Sequence, residues 1–356
     1  MRKVYLHIGA AKTGSSSLQS FLSFNPEFQH PETNEKFLYC CILENGKIIF
    51  GDELKRRADE SPLKYAMSAN VFANPQILDV LKSELDRIFE TGCTPIFSSE
   101  GWLRRAGDFH NTKFFNTLDI SAYVIVYIRP QVEWLNSAWW QWFAWEKTYK
   151  SPQDAWSYNF ALWANHISQW NDLDGVQKVT VRLQPSDIIE DFLSLFRCSL
   201  EHGMSQKYRV NTSLPPILIK FLLKYYFLRS VHGAHVDAIL SKILKFEGKS
   251  PWIIDIELAG QIITACRSDN EKLLGMLDEA SQEIMKNDPR WWDAEYYKGR
   301  YVFNEKDLEL SGGEFLSIVT QTLRALVING KDFELSRKEL FSIIAKGIRS
   351  LIKFRK

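Results

Sequence analysis

The sequence has no apolar run near the roughly 18–20 residues that a helix needs to cross a bilayer. Its longest candidates, Tyr123–Ile128 and Ile217–Leu228, are too short or carry lysine. Cysteine is scarce and unpatterned: Cys40, Cys41, Cys93, Cys198 and Cys266 make an odd set without a C-x-x-C pair, so neither a disulfide framework nor a zinc site is indicated. Excess charge is missing too. The 44 Lys+Arg against 43 Asp+Glu leave +1, which argues against coating nucleic acid by bulk charge. The N-terminus enters a strand pattern within three residues, leaving no room for a signal peptide. A soluble, cytoplasmic protein with buried free thiols and no nucleic-acid partner is expected. The near-neutral total hides a division, however. The last 20 residues hold seven basic and one acidic side chain, and the rest of the chain holds 37 and 42.

What is present is globular: 45% hydrophobic and 24% charged residues over 356 positions, enough for one large domain or two ordinary ones. Val4–Ile8 reads as a buried strand, followed by a Gly/Ala/Ser loop and an amphipathic run, Ser17–Phe24. Residues 25–75 are irregular, with strand-like pieces at 37–42 and 47–50. A helix is expected over 75–90, strands over 95–98, 123–128 and 179–183, and helices over 132–144, 155–170 and 187–196. Strands that are apolar on both faces and alternate with helices imply a parallel sheet covered on both sides. After about Pro216 the strand signal ends, and 217–246, 256–288, 314–327 and 335–354 read as helices. The fold class is therefore α/β: a P-loop-like three-layer core with a central parallel sheet flanked by helices over 1–215, and a helical C-terminal extension over 216–356.

The strongest local feature is the segment Gly9-Ala10-Ala11-Lys12-Thr13-Gly14-Ser15-Ser16-Ser17 between the first strand and the first helix. Its glycines allow a tight turn and close approach of the backbone to an anion. The following helix aims free N–H groups at that anion, Lys12 adds a full charge, and the hydroxyls add donors. A nucleotide-triphosphate loop would place lysine directly after the second glycine, whereas Lys12 precedes Gly14. It would also need an acidic residue for magnesium at a neighbouring strand end, where Arg129 stands instead. A nucleoside-triphosphatase is therefore disfavoured.

His7-Ile8-Gly9-Ala10-Ala11-Lys12-Thr13-Gly14-Ser15-Ser16-Ser17-Leu18-Gln19 resembles the loop of bacterial carbohydrate-type sulfotransferases that use 3′-phosphoadenosine 5′-phosphosulfate (PAPS), matching H-I-G-x-x-K-T-G-[ST]-[ST]-[ST]-L-Q at every specified position. A second feature agrees with it. Arg129 ends the Tyr123–Ile128 strand and Ser137 follows eight residues later on the next helix, the pair with which that family holds the 3′-phosphate. The resemblance implies transfer of a sulfuryl group from PAPS to a hydroxyl of a glycan or glycolipid, releasing 3′-phosphoadenosine 5′-phosphate (PAP) without a metal. It places Gly9, Ala11, Lys12, Thr13, Gly14, Ser15, Ser16 and Ser17 at the phosphosulfate and Arg129 and Ser137 at the 3′-phosphate. Arg209 and Asn211 match a further stretch that closes over the nucleotide.

Transfer to a hydroxyl requires a base, and Glu100 stands just past the second core strand, at the edge where parallel sheets form active sites. Lys12 is the cation for the leaving phosphate oxygen, and His7, at the mouth of the first strand, is an alternative base. Relatives that carry a lysine beside the base have Ser98, Ser99 and Gly101 in its place here. Eight of the twelve tryptophans fall between Trp134 and Trp170. Trp140 and Trp145, with Trp102 beside Glu100, are candidates to stack on a sugar face. The basic tail 336–356 has apolar residues near helical spacing and is a candidate for peripheral contact with the inner face of a membrane. A nucleotide-binding scaffold without turnover and, less favoured, a phosphoryl-transfer enzyme are the alternatives of other classes.

Overall fold

The structure is a computed structural model that describes residues 1–70, 75–146, 148–156, 161–199, 204–208, 213–229 and 236–328. Seven strands form the sheet: β1 (Arg2–His7), β2 (Glu27–Gln29), β3 (Lys36–Ile42), β4 (Ile48–Ile49), β5 (Cys93–Ser98), β6 (Ile120–Ile128) and β7 (Val176–Leu183). Their order is β2-β3-β5-β1-β6-β7, with β4 paired to β3. Every pairing from β3 to β7 across the centre is parallel, and only the short β2 and β4 run antiparallel to β3. The expected α/β fold, a mostly parallel sheet flanked by helices with further helices toward the C-terminus, is what the chain adopts.

The central strands are apolar because both faces are covered. In β6, seven of nine residues are buried, and its Ile125 and Tyr127 join Leu18, Phe21, Leu22 and Ile96 in one core. The first helix, α1 (Ser15–Phe24), contains five serines and has little intrinsic helix preference. Its spacing compensates: Leu18, Phe21 and Leu22 fall on one face and are buried, each burial contributing about 1.5–3 kcal/mol. Two of the serines settle on backbone partners, Ser20 on the Lys64 carbonyl and Ser23 on the Gln19 carbonyl.

The contacts group the chain into two units that do not divide at residue 215. One gathers 1–134, 158–212 and 256–298, and the other gathers the described residues of 135–157, 213–255 and 299–356. Helices Ile256–Leu274 and Glu279–Asn287 thus belong with the sheet. The physical reason is polar as well as apolar. Gln131 donates to Asn270 at 2.6 Å in a buried pair, and Asp269 accepts from the amides of Ala164 and Asn165 at the start of the helix Trp163–Asn171. In the second unit, Leu218, Leu244, Leu310 and Ile318 form a separate core, and Lys220 pairs with Glu314 at 2.8 Å.

Sequence and structure differ at several elements. The helix expected over 155–170 is two pieces, Pro152–Trp156 and Trp163–Asn171. The run 256–288 breaks between Leu274 and Glu279, where Asp278 caps the second helix by accepting from the Ser281 amide. The helix Gly51–Glu60 was not expected, since its few apolar residues leave only Leu54 and Ala58 to bury. Among the described residues no helix is long and apolar enough to cross a membrane. The tail 336–356 lies outside the described residues.

Candidate active site

The order of strands fixes where a ligand can sit. β1 leads to β3 on one side of the sheet, whereas β6 leads to β7 on the other. The crevice between the carboxyl ends of β1 and β6 is therefore a topological switch point, the usual ligand position in open parallel sheets. The β1–α1 loop and Arg129 meet there. Arg129 Nη1 donates to the Lys12 carbonyl at 3.0 Å, and Trp134 Nε1 donates to the Ala11 carbonyl at 3.0 Å.

Those two contacts belong to a wider pattern. The His7 carbonyl accepts from the Ser99 amide, the Ile8 carbonyl from the Leu103 amide and the Ala10 carbonyl from Thr13 Oγ1. Carbonyls along the loop are thus drawn to neighbours. Gly14 caps α1 without a side chain, at φ 102°, so no capping side chain takes the first amides of the helix. Lys12 holds a left-handed φ of 71°, a strained conformation for a non-glycine residue. Gly9, at φ 36°, is closely approached by its neighbours: a Cβ there would stand 2.9 Å from Ser15 Oγ. Withdrawn acceptors, a helix start without a side-chain cap and a lysine make a cradle for an anion.

Glu100 borders the same place. Its backbone lies 3.6 Å from that empty Cβ position, and Ser16 Oγ donates to Oε1 at 3.2 Å. Burial pushes the Glu100 carboxyl above its ordinary value, opposed by the charge of Lys12 and the Ser16 hydroxyl. These surroundings differ from those of a solvated surface carboxylate. His7 is fully buried, and burial drives its pKa down to about 3, which makes it a weak base. Arg129 is held by Glu133 at 3.5 Å, and Glu133 is shared with Arg290 at 3.4 Å. Burial lowers the Arg129 pKa and Glu133 raises it again.

The other expected residues fare differently. Ser137 lies on the helix Gln131–Gln141, as its spacing predicts, in the part grouped with the second unit; the cradle described here is that of the first unit. Arg209 and Asn211 lie outside the described residues. The tryptophan assignments need correction. Trp102 is completely buried against Phe109 with Nε1 on the Ala69 carbonyl. Trp140 is 3% exposed with Nε1 on the Pro251 carbonyl. A ring without an open face cannot stack on a sugar. Trp145 is half-buried, and Arg229 covers one of its faces at 4.2 Å.

Two contacts escaped the sequence reading. Arg290 reaches Glu133 from 157 positions away, and Gln19 and Ser98 form a buried pair 79 positions apart. Gln19 was visible as part of the loop motif, but nothing local signalled its partner.

No protein-family model and no curated protein matches the chain. Among solved structures it is similar to a sulfotransferase from Alicyclobacillus acidocaldarius, with a TM-score of 0.37 and 15% identity over 80% of this chain and 99% of that one.

Proposed function

We propose that the protein is a PAPS-dependent sulfotransferase acting on a hydroxyl of a glycan or glycolipid. The observation that carries this reading is the coincidence, at one switch point, of an anion cradle containing Lys12 with a carboxyl, Glu100, whose surroundings raise its pKa. The 13-residue match of the loop to carbohydrate-type sulfotransferases supports the choice of donor and of acceptor class.

In the proposed reaction the acceptor oxygen forms a bond to sulfur as the bond from sulfur to the 5′-phosphate oxygen breaks. Glu100 takes the hydroxyl proton, and Ser16 keeps its carboxylate oriented. Lys12 and the α1 amides stabilise the charge developing on the leaving phosphate and the sulfonyl oxygens. Arg129, with Ser137, binds the 3′-phosphate of the nucleotide, and Arg209 and Asn211 close over it. Before the nucleotide arrives, Glu133 balances the Arg129 charge. Gly9, Ala11, Thr13, Gly14, Ser15 and Ser17 shape the loop that receives the phosphosulfate. The basic tail 336–356 brings the enzyme to an anionic membrane surface carrying lipid-linked acceptors.

The test is an acceptor screen with labelled PAPS, using Lys12→Ala and Glu100→Gln as controls. Transfer that both substitutions abolish supports the reading. A PAP-binding protein that sulfates no hydroxyl acceptor, in a screen broad enough to include glycans and glycolipids, would favour the scaffold without turnover.

A further inference from the structure

A buried hydrogen-bonded chain runs from α1 into the cradle. Gln19 Nε2 donates to Ser98 Oγ at 3.0 Å, and Ser98 Oγ lies 2.7 Å from His7 Nδ1. All three side chains are fully buried. A hydroxyl that accepts from the amide has its own proton to give, and His7 Nδ1 is the acceptor it faces. With the Ser98 proton given to Nδ1, the imidazole proton would stand on Nε2. Among the described residues neither His7 Nε2 nor Ser15 Oγ has a hydrogen-bond partner.

The two orphaned groups both lie beside Gly9. At the position a Cβ on Gly9 would occupy, Ser15 Oγ is 2.9 Å away and His7 Cε1, the carbon bonded to Nε2, is 3.5 Å away. Buried donors without acceptors are rare and costly in folded proteins, and one that persists calls for an explanation such as a missing ligand. Around the ring, Tyr127 and Phe192 stand edge-on at 5.8 and 6.3 Å, and among the described residues no acidic side chain is within hydrogen-bonding reach of Nε2. The imidazole is accordingly neutral at physiological pH.

We propose that His7 is a neutral hydrogen-bond donor of the anion cradle, its Nε2–H and the Ser15 hydroxyl together receiving one anionic oxygen, and that Gln19 is a positioning residue that sets the His7 tautomer through Ser98. This role differs from that of a base, which would need a lone pair at Nε2. The sulfotransfer reading supplies only the identity of the anion; the donor itself requires nothing more than an anionic oxygen.

Nitrogen-15 NMR of the full chain tests it, with the His7 ring assigned by its loss in His7→Phe. The expected result is the neutral Nε2–H tautomer between pH 5.5 and 8, with the Nε2 resonance displaced by inorganic pyrophosphate and by PAP. Gln19→Met removes the amide at similar bulk; it is expected to give mixed tautomers and about tenfold weaker pyrophosphate binding. A Nδ1–H tautomer in the unliganded protein, or an Nε2 resonance unmoved by either anion, overturns the proposal. Displacement by pyrophosphate but not by PAP upholds the donor and counts against the nucleotide.

Discussion

In the proposed reaction Glu100 and Lys12 share one electrostatic problem, since the cation proposed to steady a leaving phosphate also lowers the pKa of the carboxyl proposed to accept a proton. Burial of Glu100 works in the opposite direction and prevails. The rate of transfer is therefore expected to rise with pH through a limb above the ordinary glutamate range, because only the ionised carboxylate is a base. Glu100→Gln should remove that limb and lower kcat by roughly a hundredfold or more while leaving PAP affinity within about threefold. A pH–rate profile with a calorimetric titration checks both, and near-normal turnover in Glu100→Gln would make the base assignment wrong. His7 gives a stability prediction of definite sign. Its pKa falls from 6.5 to about 3 on folding, so between those values the unfolded chain holds more protons. Stability is then fully present above pH 6.5 and declines as the pH falls toward 3, by up to roughly 1 kcal/mol per pH unit. Urea unfolding at pH 7, 6 and 5 should show a steeper decline for wild type than for His7→Phe. Equal slopes would mean that the imidazole is not held neutral.

At the level of elements, the proposed chemistry rests on the unit β1–loop–α1, and its glycines can be tested separately. Gly9→Ala puts a Cβ 2.9 Å from Ser15 Oγ at φ 36°, and Gly14→Ala puts one 3.3 Å from Ile188 at φ 102°. Each should cost about 1–2 kcal/mol of stability and weaken pyrophosphate binding at least tenfold. Gly51→Ala is the control: its φ of 57° carries similar strain, but no atom lies within 4 Å of the new Cβ and the residue is not in the loop. It should lower Tm without changing anion affinity, and a matching loss of affinity in Gly51→Ala would contradict the cradle. This unit was legible in the sequence because strand, glycines, lysine, hydroxyls and helix follow one another within a few turns of chain. Arg129 was legible for the same reason, as the end of an unbroken apolar strand. The Gln19–Ser98–His7 chain and the Arg129–Glu133–Arg290 cluster were not, because their partners are selected by strand order and not by spacing. The tryptophans misled for another reason. The same ring serves a core or a cleft, and composition does not say which face is covered; Trp102 is covered completely and Trp140 almost so.

For the whole molecule, the boundary read near residue 215 marks the end of the strand pattern, not the end of the packing. The buried Gln131–Asn270 pair and the Arg290–Glu133 contact tie residues 256–298 to the sheet. Truncation after residue 215 is expected to yield insoluble or unfolded protein rather than a nucleotide-binding core, a result that expression and circular dichroism would show; a folded fragment would contradict the grouping. Charge is also divided at this scale, with seven basic and one acidic residue in the last 20. Deleting 336–356 should abolish binding to anionic vesicles at low salt, and undiminished binding would remove the membrane role. The claim on which the rest depends is that the β1–α1 loop and Arg129 receive a 3′-phosphorylated nucleotide. Titrating the full chain calorimetrically with PAP, and separately with ATP plus magnesium, tests it most directly. The account predicts saturable PAP binding that Lys12→Ala and Arg129→Ala weaken at least tenfold, and no comparable binding of ATP; equal binding of the two nucleotides, or none of PAP, would contradict it.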